Sequence, residues 1–311
     1  MKQITMKTCM LVIALLLIQY ATAQNIKVKW SVISKEQGTG FIFEECHDNP
    51  SCSHSGNIIL PSKGTKDGKT YSFTEMSFSF IGCKLGSVVI PNGISEINNS
   101  FWGCEKLKAV TLPNSITVLK RCFSGCTLLS SIIIPNGITE IYDCFKGCTN
   151  LSSITIPNSL TELKSSFSRC DKLTSITIPN SVTIIKRCFE NCPNLTSIQI
   201  PQSVKELDGS FEMCKKLESV TLPDNIIKIS GCFEACGIKS ITIPNSVKEI
   251  KNSFKECPLT TIIVQNPTPP SVVKFSSEIY SSATLYVPKG AIEAYKTAQN
   301  WEQFVHITEI E

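Results

Sequence analysis

Apolar residues return at a fixed interval along most of this chain, with polar residues between them. Prolines recur with a step of 22 residues six times and then 21, at Pro91, Pro113, Pro135, Pro157, Pro179, Pro201, Pro223 and Pro244. Phenylalanines keep the same step from Phe101 to Phe254, and cysteines keep it from Cys83 to Cys257. This period predicts a solenoid in which each repeat is one turn and neighbouring turns bury a shared core.

The unit from residue 173 to residue 192 shows how one turn is built. Ile176 and Ile178 flank Thr177, and this alternation predicts a short strand with one face inward. Pro179 ends the strand because it has no N–H to donate. The chain then returns through a second short strand or a 3₁₀ turn that directs apolar side chains inward at Val182, Ile185 and Phe189. Turns stacked at about 4.8 Å with right-handed connections form a right-handed superhelix of short parallel strands.

The two ends of the chain depart from the repeat. Residues 1–23 begin with lysines, continue with an apolar run and end in Ala21-Thr22-Ala23, which predicts an export signal cut before Gln24. We expect an N-terminal cap over residues 24–55, repeats over 56–266 and a C-terminal cap over 267–311, because the end turns of a solenoid shield its core. Within the C-terminal cap, residues 285–287 predict a last strand and residues 291–298 a helix. No later apolar stretch is long enough to predict a membrane span.

The repeat signature resembles the BspA-like leucine-rich repeats of surface and secreted proteins in Bacteroides-type bacteria. Residues 170–189 carry it as Cys-x-x-Leu, then Ser-Ile-x-Ile-Pro-Asn-Ser-Val, with isoleucine and phenylalanine in the return leg. We therefore expect an α/β-type leucine-rich-repeat solenoid with an N-terminal cap and a helical C-terminal cap. The resemblance implies an extracellular adhesion or recognition role, with host matrix or plasma proteins or another microbe's surface as partners. It implies no catalytic residue.

Composition excludes several other classes of function. The formal net charge of +4 is too small for the electrostatic footprint of a nucleic-acid-binding protein. Histidine is scarce, with three in the chain, and the carboxylates are repeated members of columns, whereas a catalytic pair should break the pattern in a pocket. We expect a monomer that is not an enzyme, needs no cofactor or metal, and is secreted or displayed on the cell surface, with the periplasm as an alternative.

The cysteines divide into two groups. The repeat cysteines, Cys83 to Cys257 and a second column that interchanges with serine before each phenylalanine, are expected to be free thiols. Side chains stacked in parallel are poorly oriented for bridging, and a small residue suits the site. Cys46 and Cys52 lie outside the repeat beside His47 and His54. A disulfide between these two cysteines is favoured over a zinc site, because their spacing matches no common zinc motif.

Two sets of outward residues are candidate binding surfaces. The first is a column on the predicted strands, with Thr111, Thr155, Thr177, Gln199, Thr221 and Thr242 as its polar members. The second is a basic strip made of Lys120, Arg121, Lys186 and Arg187. Threonine is common on strand surfaces, and mixed charges keep a solenoid soluble, so both sets also have purely structural explanations.

The sequence favours a protein-binding or adhesion module. A glycan-binding protein and a structural assembly component are the alternatives, and a secreted hydrolase ranks below them. Pull-down with matrix proteins and glycans separates binding from assembly.

Overall fold

A computed structural model describes residues 24–25, 30–35, 38–43, 54–66 and 68–310. Each repeat contributes one short strand to each of two parallel sheets, which face each other across a narrow core. Two short α-helices occur in this part of the chain, and both lie near the C-terminus. The signal peptide predicted over residues 1–23 and the disulfide predicted between Cys46 and Cys52 lie outside the described residues.

The first sheet contains the strands that precede each repeat proline, and we call it the threonine sheet. Its strands are β1 (Gln24–Asn25), β4 (Ser55–Ile59), β8 (Lys84–Val89), β10 (Ala109–Thr111), β12 (Ser131–Ile133), β14 (Ser153–Thr155), β16 (Ser175–Thr177), β18 (Ser197–Gln199), β21 (Ser240–Ile243), β23 (Thr261–Val264), β25 (Thr284–Val287) and β26 (His306–Glu309). Backbone pairing divides these strands into segments of four, two, two and four, and Thr221 joins Gln199 through a single bridge.

The second sheet contains the return leg of each repeat, and we call it the charged sheet. Its strands are β2 (Trp30–Lys35), β3 (Gly38–Phe43), β7 (Glu75–Ser77), β9 (Glu96–Asn98), β11 (Val118–Lys120), β13 (Glu140–Tyr142), β15 (Glu162–Lys164), β17 (Ile184–Lys186), β19 (Glu206–Asp208), β20 (Lys228–Ser230), β22 (Glu249–Lys251) and β24 (Ser271–Val272). Pairing is continuous over all twelve strands. It is parallel except between β2 and β3, which form an antiparallel hairpin at the N-terminal end. A second hairpin, β5 (Lys63–Lys66) and β6 (Lys69–Ser72), lies between β4 and β7 in the sequence.

The turn after each first strand follows from the proline. Pro179 cannot donate to the ladder, but its carbonyl accepts the N–H of Val182 at 3.0 Å, and Pro201 accepts that of Val204 at 3.0 Å. The chain therefore turns within three residues and returns as a second strand. The structure thus decides between the two predicted return legs in favour of a strand. It also corrects the α/β classification: the fold is a parallel β-solenoid, because extended segments form both sides of every turn.

A column of stacked phenylalanine rings fills the core between the sheets. The rings are Phe80, Phe101, Phe123, Phe145, Phe167, Phe189, Phe211, Phe233, Phe254 and Phe275. Consecutive centroids lie 5.4–6.1 Å apart with interplanar angles of 4–14°, within the range of favourable aromatic pairs. The column extends one ring further at each end than the repeat spacing from Phe101 to Phe254 predicts.

The C-terminal residues close one end of this column. Helices α1 (Ser277–Ser282) and α2 (Ile292–Thr297) lie on either side of β25 in the sequence. Phe275 meets Tyr280, Trp301 and Phe304 edge-on, with centroids 5.3–5.9 Å apart. The Trp301 indole N–H donates to the carbonyl of Pro270 at 2.8 Å. These buried aromatic rings pack against Phe275, the last ring of the column.

Candidate functional site

The outward column of the threonine sheet is a flat surface without charge. Its members are Val89, Thr111, Ile133, Thr155, Thr177, Gln199, Thr221, Thr242 and Ile263, and all except Val89, Thr111 and Ile263 are exposed. The strand register places consecutive members beside each other, as in Thr177 opposite Gln199 and Thr242 opposite Ile263. The predicted residues therefore lie side by side within each segment of the sheet, and Ile133 at 62% exposure is the most prominent apolar member of the column.

A shallow depression of about 690 Å³ lies in the middle of this surface. Thr155, Thr177 and Gln199 line it, together with asparagines from three successive turns, Asn136, Asn158 and Asn180. Every polar side chain among these is a neutral hydroxyl or amide that can both donate and accept. A partner docking here would displace water from groups that are cheap to desolvate compared with charges.

The charged sheet has a different surface, because its outward residues are paired with one another. Lys120 contacts Glu140 at 2.9 Å and Lys186 contacts Asp208 at 2.7 Å, in each case across to the next strand. Lys164 pairs with Glu162 on its own strand. Glu249 receives both Lys228 at 3.2 Å and Lys251 at 2.5 Å. These hydrogen bonds, that of Lys251 first, lower the pKa of the Glu249 carboxyl.

The basic strip is therefore only partly a free cationic surface. Lys120 and Lys186 stand in one column with Tyr142 and Lys164, but a neighbouring carboxylate neutralises each of the two. The arginines come one residue after their strands. Arg121 lies over the ring of Tyr142, with 5.8 Å from its Cζ to the centroid, and Arg187 is exposed. The four residues therefore lie along the sheet, but the two lysines among them are already paired with carboxylates.

The repeat cysteines from Cys83 to Cys257 all lie in the core, and they are free thiols as predicted with one exception. Twelve of them have free thiols, and all twelve are buried: Cys104, Cys122, Cys126, Cys144, Cys148, Cys170, Cys188, Cys192, Cys214, Cys232, Cys236 and Cys257. Cys83 is disulfide-bonded, so its inclusion among the free thiols was wrong. Burial raises the pKa of Cys148, Cys188 and Cys192 to about 12, which leaves almost no reactive thiolate at neutral pH.

Most of these thiols also donate a hydrogen bond to a backbone carbonyl, a role that size alone does not predict. In the main column every free cysteine donates to the carbonyl of a phenylalanine in the preceding turn, as Cys148 does to Phe123 at 3.1 Å. In the second column Cys122 donates to the carbonyl of Lys120 at 3.1 Å, and Ser166 donates to that of Lys164 at 2.7 Å. Cysteine and serine interchange there because each supplies a short side chain with a donor.

Sequence reasoning missed a third surface, at the corner that follows the charged sheet. A groove of about 880 Å³ there is lined by Phe78 and Trp102, by four glycines and by unlike charges. Trp102 is 58% exposed and Phe78 45% exposed. The signal was present in the sequence, because Gly82, Gly103, Gly125 and Gly147 follow the repeat step and larger residues replace them from Arg169 onward.

None of the helices in the described part of the chain combines the length and apolarity that crossing a membrane requires.

The two-sheet solenoid, with its recurring Cys, Pro and Phe positions, defines a leucine-rich-repeat scaffold. The chain matches the BspA type leucine-rich repeat region in six copies, over residues 75–187, 143–261 and 182–285. It therefore belongs to the BspA-type leucine-rich repeat family. Comparison with curated proteins gives no match.

Solved structures resemble the chain at low identity. A leucine-rich repeat protein from Bacteroides ovatus is 23% identical, with 92% of this chain and 76% of that chain covered and a TM-score of 0.70. The leucine-rich repeat protein of Treponema pallidum is 24% identical, covering 68% of this chain and 89% of that one, with a TM-score of 0.43. The pneumococcal vaccine antigen PcpA is 16% identical, with 93% of this chain and 98% of that chain covered and a TM-score of 0.40. At these identities the first likeness supports the fold alone.

Proposed function

We propose that this protein is an extracellular recognition protein that binds a partner protein through the threonine sheet. The observation that carries the proposal is the contrast between the two sheets. The outward column of the threonine sheet carries no charge, whereas several lysines and carboxylates of the charged sheet pair with one another. Burying a paired charge costs several kcal/mol of desolvation, so the neutral sheet is the cheaper one to cover. Solenoids commonly bind through such repeated faces.

The proposed partner is an extracellular protein of a host or of another microbe, and the proposed reaction class is binding rather than catalysis. Export by a leader over residues 1–23, followed by caps over 24–55 and 267–311 around repeats over 56–266, belongs to the same proposal. N-terminal sequencing of the protein recovered from the culture medium and from the cell envelope tests it. A first residue at Gln24 supports export, and an intact Met1 in both fractions contradicts it.

Charge placed in the middle of the threonine sheet tests the binding surface. The purified protein is screened by surface plasmon resonance against immobilised collagen, laminin and fibrinogen, and against an oligosaccharide array. The double variant Thr155→Lys/Thr177→Lys should bind any immobilised protein that the wild type binds at least tenfold more weakly. The reason is that two ammonium groups would have to be desolvated in the complex. Far-ultraviolet circular dichroism checks that the solenoid remains folded.

The matched control places a single lysine on the other sheet, and the single variant Thr177→Lys is measured beside it. Ile184→Lys introduces a lysine at a partly exposed outward position of the charged sheet, in the neighbouring part of the stack. It should leave binding unchanged. Equal loss in both variants, or no loss in the threonine-sheet variant, contradicts the proposed surface. Binding of oligosaccharides alone would favour the glycan alternative, and concentration-dependent self-association without ligand would favour an assembly component.

The basic strip is the second candidate surface, and salt dependence distinguishes it. The double variant Arg121→Glu/Arg187→Glu changes the two members that are not held in ion pairs on the sheet. If the strip contacts an acidic partner, binding should fall steeply with ionic strength in the wild-type protein and lose that dependence in the variant. An affinity that changes neither with salt concentration nor with these substitutions excludes the basic strip as the binding surface.

A further inference from the structure

We infer that the groove at the corner after the charged sheet is a second binding site, whose ligand is a short oligosaccharide. This site goes beyond the protein-binding surface proposed above and lies on a different side of the turn. Three features of the groove carry the inference: exposed aromatic rings, a floor without side chains, and charged groups without ion-pair partners.

The aromatic rings form the first feature. The Trp102 indole is 58% exposed, although a tryptophan of a soluble protein usually buries most of its surface. Phe78, 45% exposed, lies in the same groove one turn earlier. Neighbouring exposed rings are uncommon on a surface that binds nothing. A pyranose ring presents a face of C–H groups, and a flat aromatic ring covers such a face well.

The floor is the second feature. Gly103, Gly125 and Gly147 follow one another in successive turns, and a Cβ on Gly125 would lie 3.5 Å from the Cα of Gly103, an ordinary van der Waals contact. Their backbone φ angles of 69–73° favour glycine, yet later turns keep this conformation with Arg169 at 59° and Met213 at 61°. The backbone conformation alone therefore does not require glycine. Glycine removes side chains along the groove, over about 14 Å from Gly82 to Gly147 at the spacing of stacked strands. This is the length of a short oligosaccharide.

The charged groups are the third feature. Arg121, Asp143 and Arg169 line the groove, and none of them takes part in an ion pair within the described part of the chain. On the adjacent charged sheet, by contrast, lysines and carboxylates pair across neighbouring strands. Planar guanidinium and carboxylate groups, together with the amide of Asn99, can receive and donate several hydrogen bonds to the hydroxyls at the rim of a sugar.

The backbone of the groove argues against an extended peptide as the ligand. The N–H groups of Gly103 and Gly125 donate to the carbonyls of Ser124 and Lys146, both at 2.7 Å. The carbonyls of the same two glycines accept the N–H groups of Glu105 and Thr127 at 2.8 and 2.9 Å. A peptide binding as an added strand needs unpaired backbone groups, and the two central glycines of the floor offer none. An oligosaccharide needs only rings and polar side chains. The volume of about 880 Å³ lies within the usual range for small-ligand sites.

The test is binding of the purified protein to an array of immobilised oligosaccharides, with the affinity of each positive compound measured by isothermal titration calorimetry. We expect saturable binding that Trp102→Ala weakens at least tenfold, while Trp102→Phe retains part of the affinity. Arg121→Gln should also weaken it. Met213→Ala is the matched control, because Met213 occupies the position of the glycines in a later turn outside the groove, and it should change nothing.

Several outcomes overturn the inference. One is a folded wild-type protein that binds no oligosaccharide on the array, and another is binding that Trp102→Ala leaves intact. A third is a Trp102-dependent interaction with a protein that persists after enzymatic removal of its glycans, which would make the groove a peptide site. The Thr155→Lys/Thr177→Lys variant should bind oligosaccharide normally, so failure of this site and failure of the threonine sheet can be told apart.

Discussion

The two sheets of this solenoid share one core and one repeat length, but they differ in almost every other respect. The inward side chains of the charged sheet, such as Leu119, Leu163 and Ile185, are fully buried. Those of the threonine sheet keep slightly more exposure, with Ile176 and Ile198 at 7%. Backbone pairing runs unbroken through the twelve strands of the charged sheet, whereas it is interrupted in the threonine sheet.

This difference assigns different tasks to the two faces. The charged sheet is tied together by continuous pairing, by cross-strand ion pairs and by thiol or hydroxyl donors at the ends of its strands. The threonine sheet has an uncharged outward row, and its backbone pairing is interrupted. A repeat protein can therefore stabilise its stack on one face and leave the other available for recognition, because the two faces use different residues of the same repeat.

Removing one ring from the phenylalanine stack should have the largest effect, since both sheets depend on it. Phe167→Ala is expected to cost about 3–5 kcal/mol of unfolding free energy, because it leaves a cavity between two stacked rings. Urea unfolding measures the loss, and hydrogen exchange should rise in the central strands of both sheets. Protection lost from one sheet alone would show that the sheets do not share a common core.

Alkaline pH should destabilise the protein through its buried thiols. Cys188 has its pKa raised by burial from 9.0 to about 12, so the folded state favours the protonated thiol. Its contribution is complete below about pH 9 and is lost as the pH rises towards 12, at about 1.4 kcal/mol per pH unit. Unfolding free energies at pH 8, 9, 10 and 10.5 test this slope. Cys188→Ser should show a slope shallower by that amount, and identical slopes would mean that Cys188 does not titrate on unfolding.

The thiol and hydroxyl donors at the ends of the strands of the charged sheet should contribute less to the unfolding free energy than the core side chains do. They should contribute more than the outward side chains. Cys144 donates to the carbonyls of Tyr142 and Leu119, both at 3.2 Å. Cys144→Ala is expected to cost about 1 kcal/mol, because one hydrogen-bond donor is lost while the carbonyls keep other partners. Cys144→Ser should cost less than Cys144→Ala, as serine already serves at the same position in other turns. Thermal and urea unfolding measure both variants; a serine variant as unstable as the alanine variant would mean that packing, not the donor, fixes this position.

The outward residues should have the smallest effects on stability, and these should differ between the sheets. Lys186→Gln breaks the ion pair with Asp208 and is expected to cost about 0.5 kcal/mol at low salt and less at high salt. Thr177→Val on the threonine sheet should change stability by a similar or smaller amount without any salt dependence. Unfolding free energies at two salt concentrations decide this. A salt-dependent effect of Thr177→Val would contradict the description of that face as electrostatically neutral.

Much of the fold was predictable because the same apolar, proline and cysteine positions recur in each repeat. The alternation at Ile176 and Ile178 predicted the first strand. Pro179 predicted where that strand ends and the chain turns. The return leg stayed ambiguous because only one of its three residues, Ile185, points inward, and one inward residue does not distinguish a strand from a 3₁₀ turn. Pairing with the neighbouring turns made it a strand.

The candidate sites were less predictable than the fold. The threonine column could be read from spacing, since strand geometry places every second residue outward. The ion pairs of Lys120 and Lys186 could not, because they join carboxylates about 20 residues away whose position depends on register. The disulfide of Cys83 interrupts a column that looks uniform in the sequence.

The sequence by itself determined that this chain is a solenoid, where its turns begin and end, and which side chains form its core. A repeated unit cannot bury its apolar residues alone, so the period specifies the stack. Only the tertiary structure decided what each outward column becomes. It paired several lysines with carboxylates on the charged sheet, gave most of the buried thiols a carbonyl acceptor, and placed Trp102 in one groove with four glycines. Such contacts depend on which residues of successive turns come to lie side by side, and that is set by register and by the corners between strands.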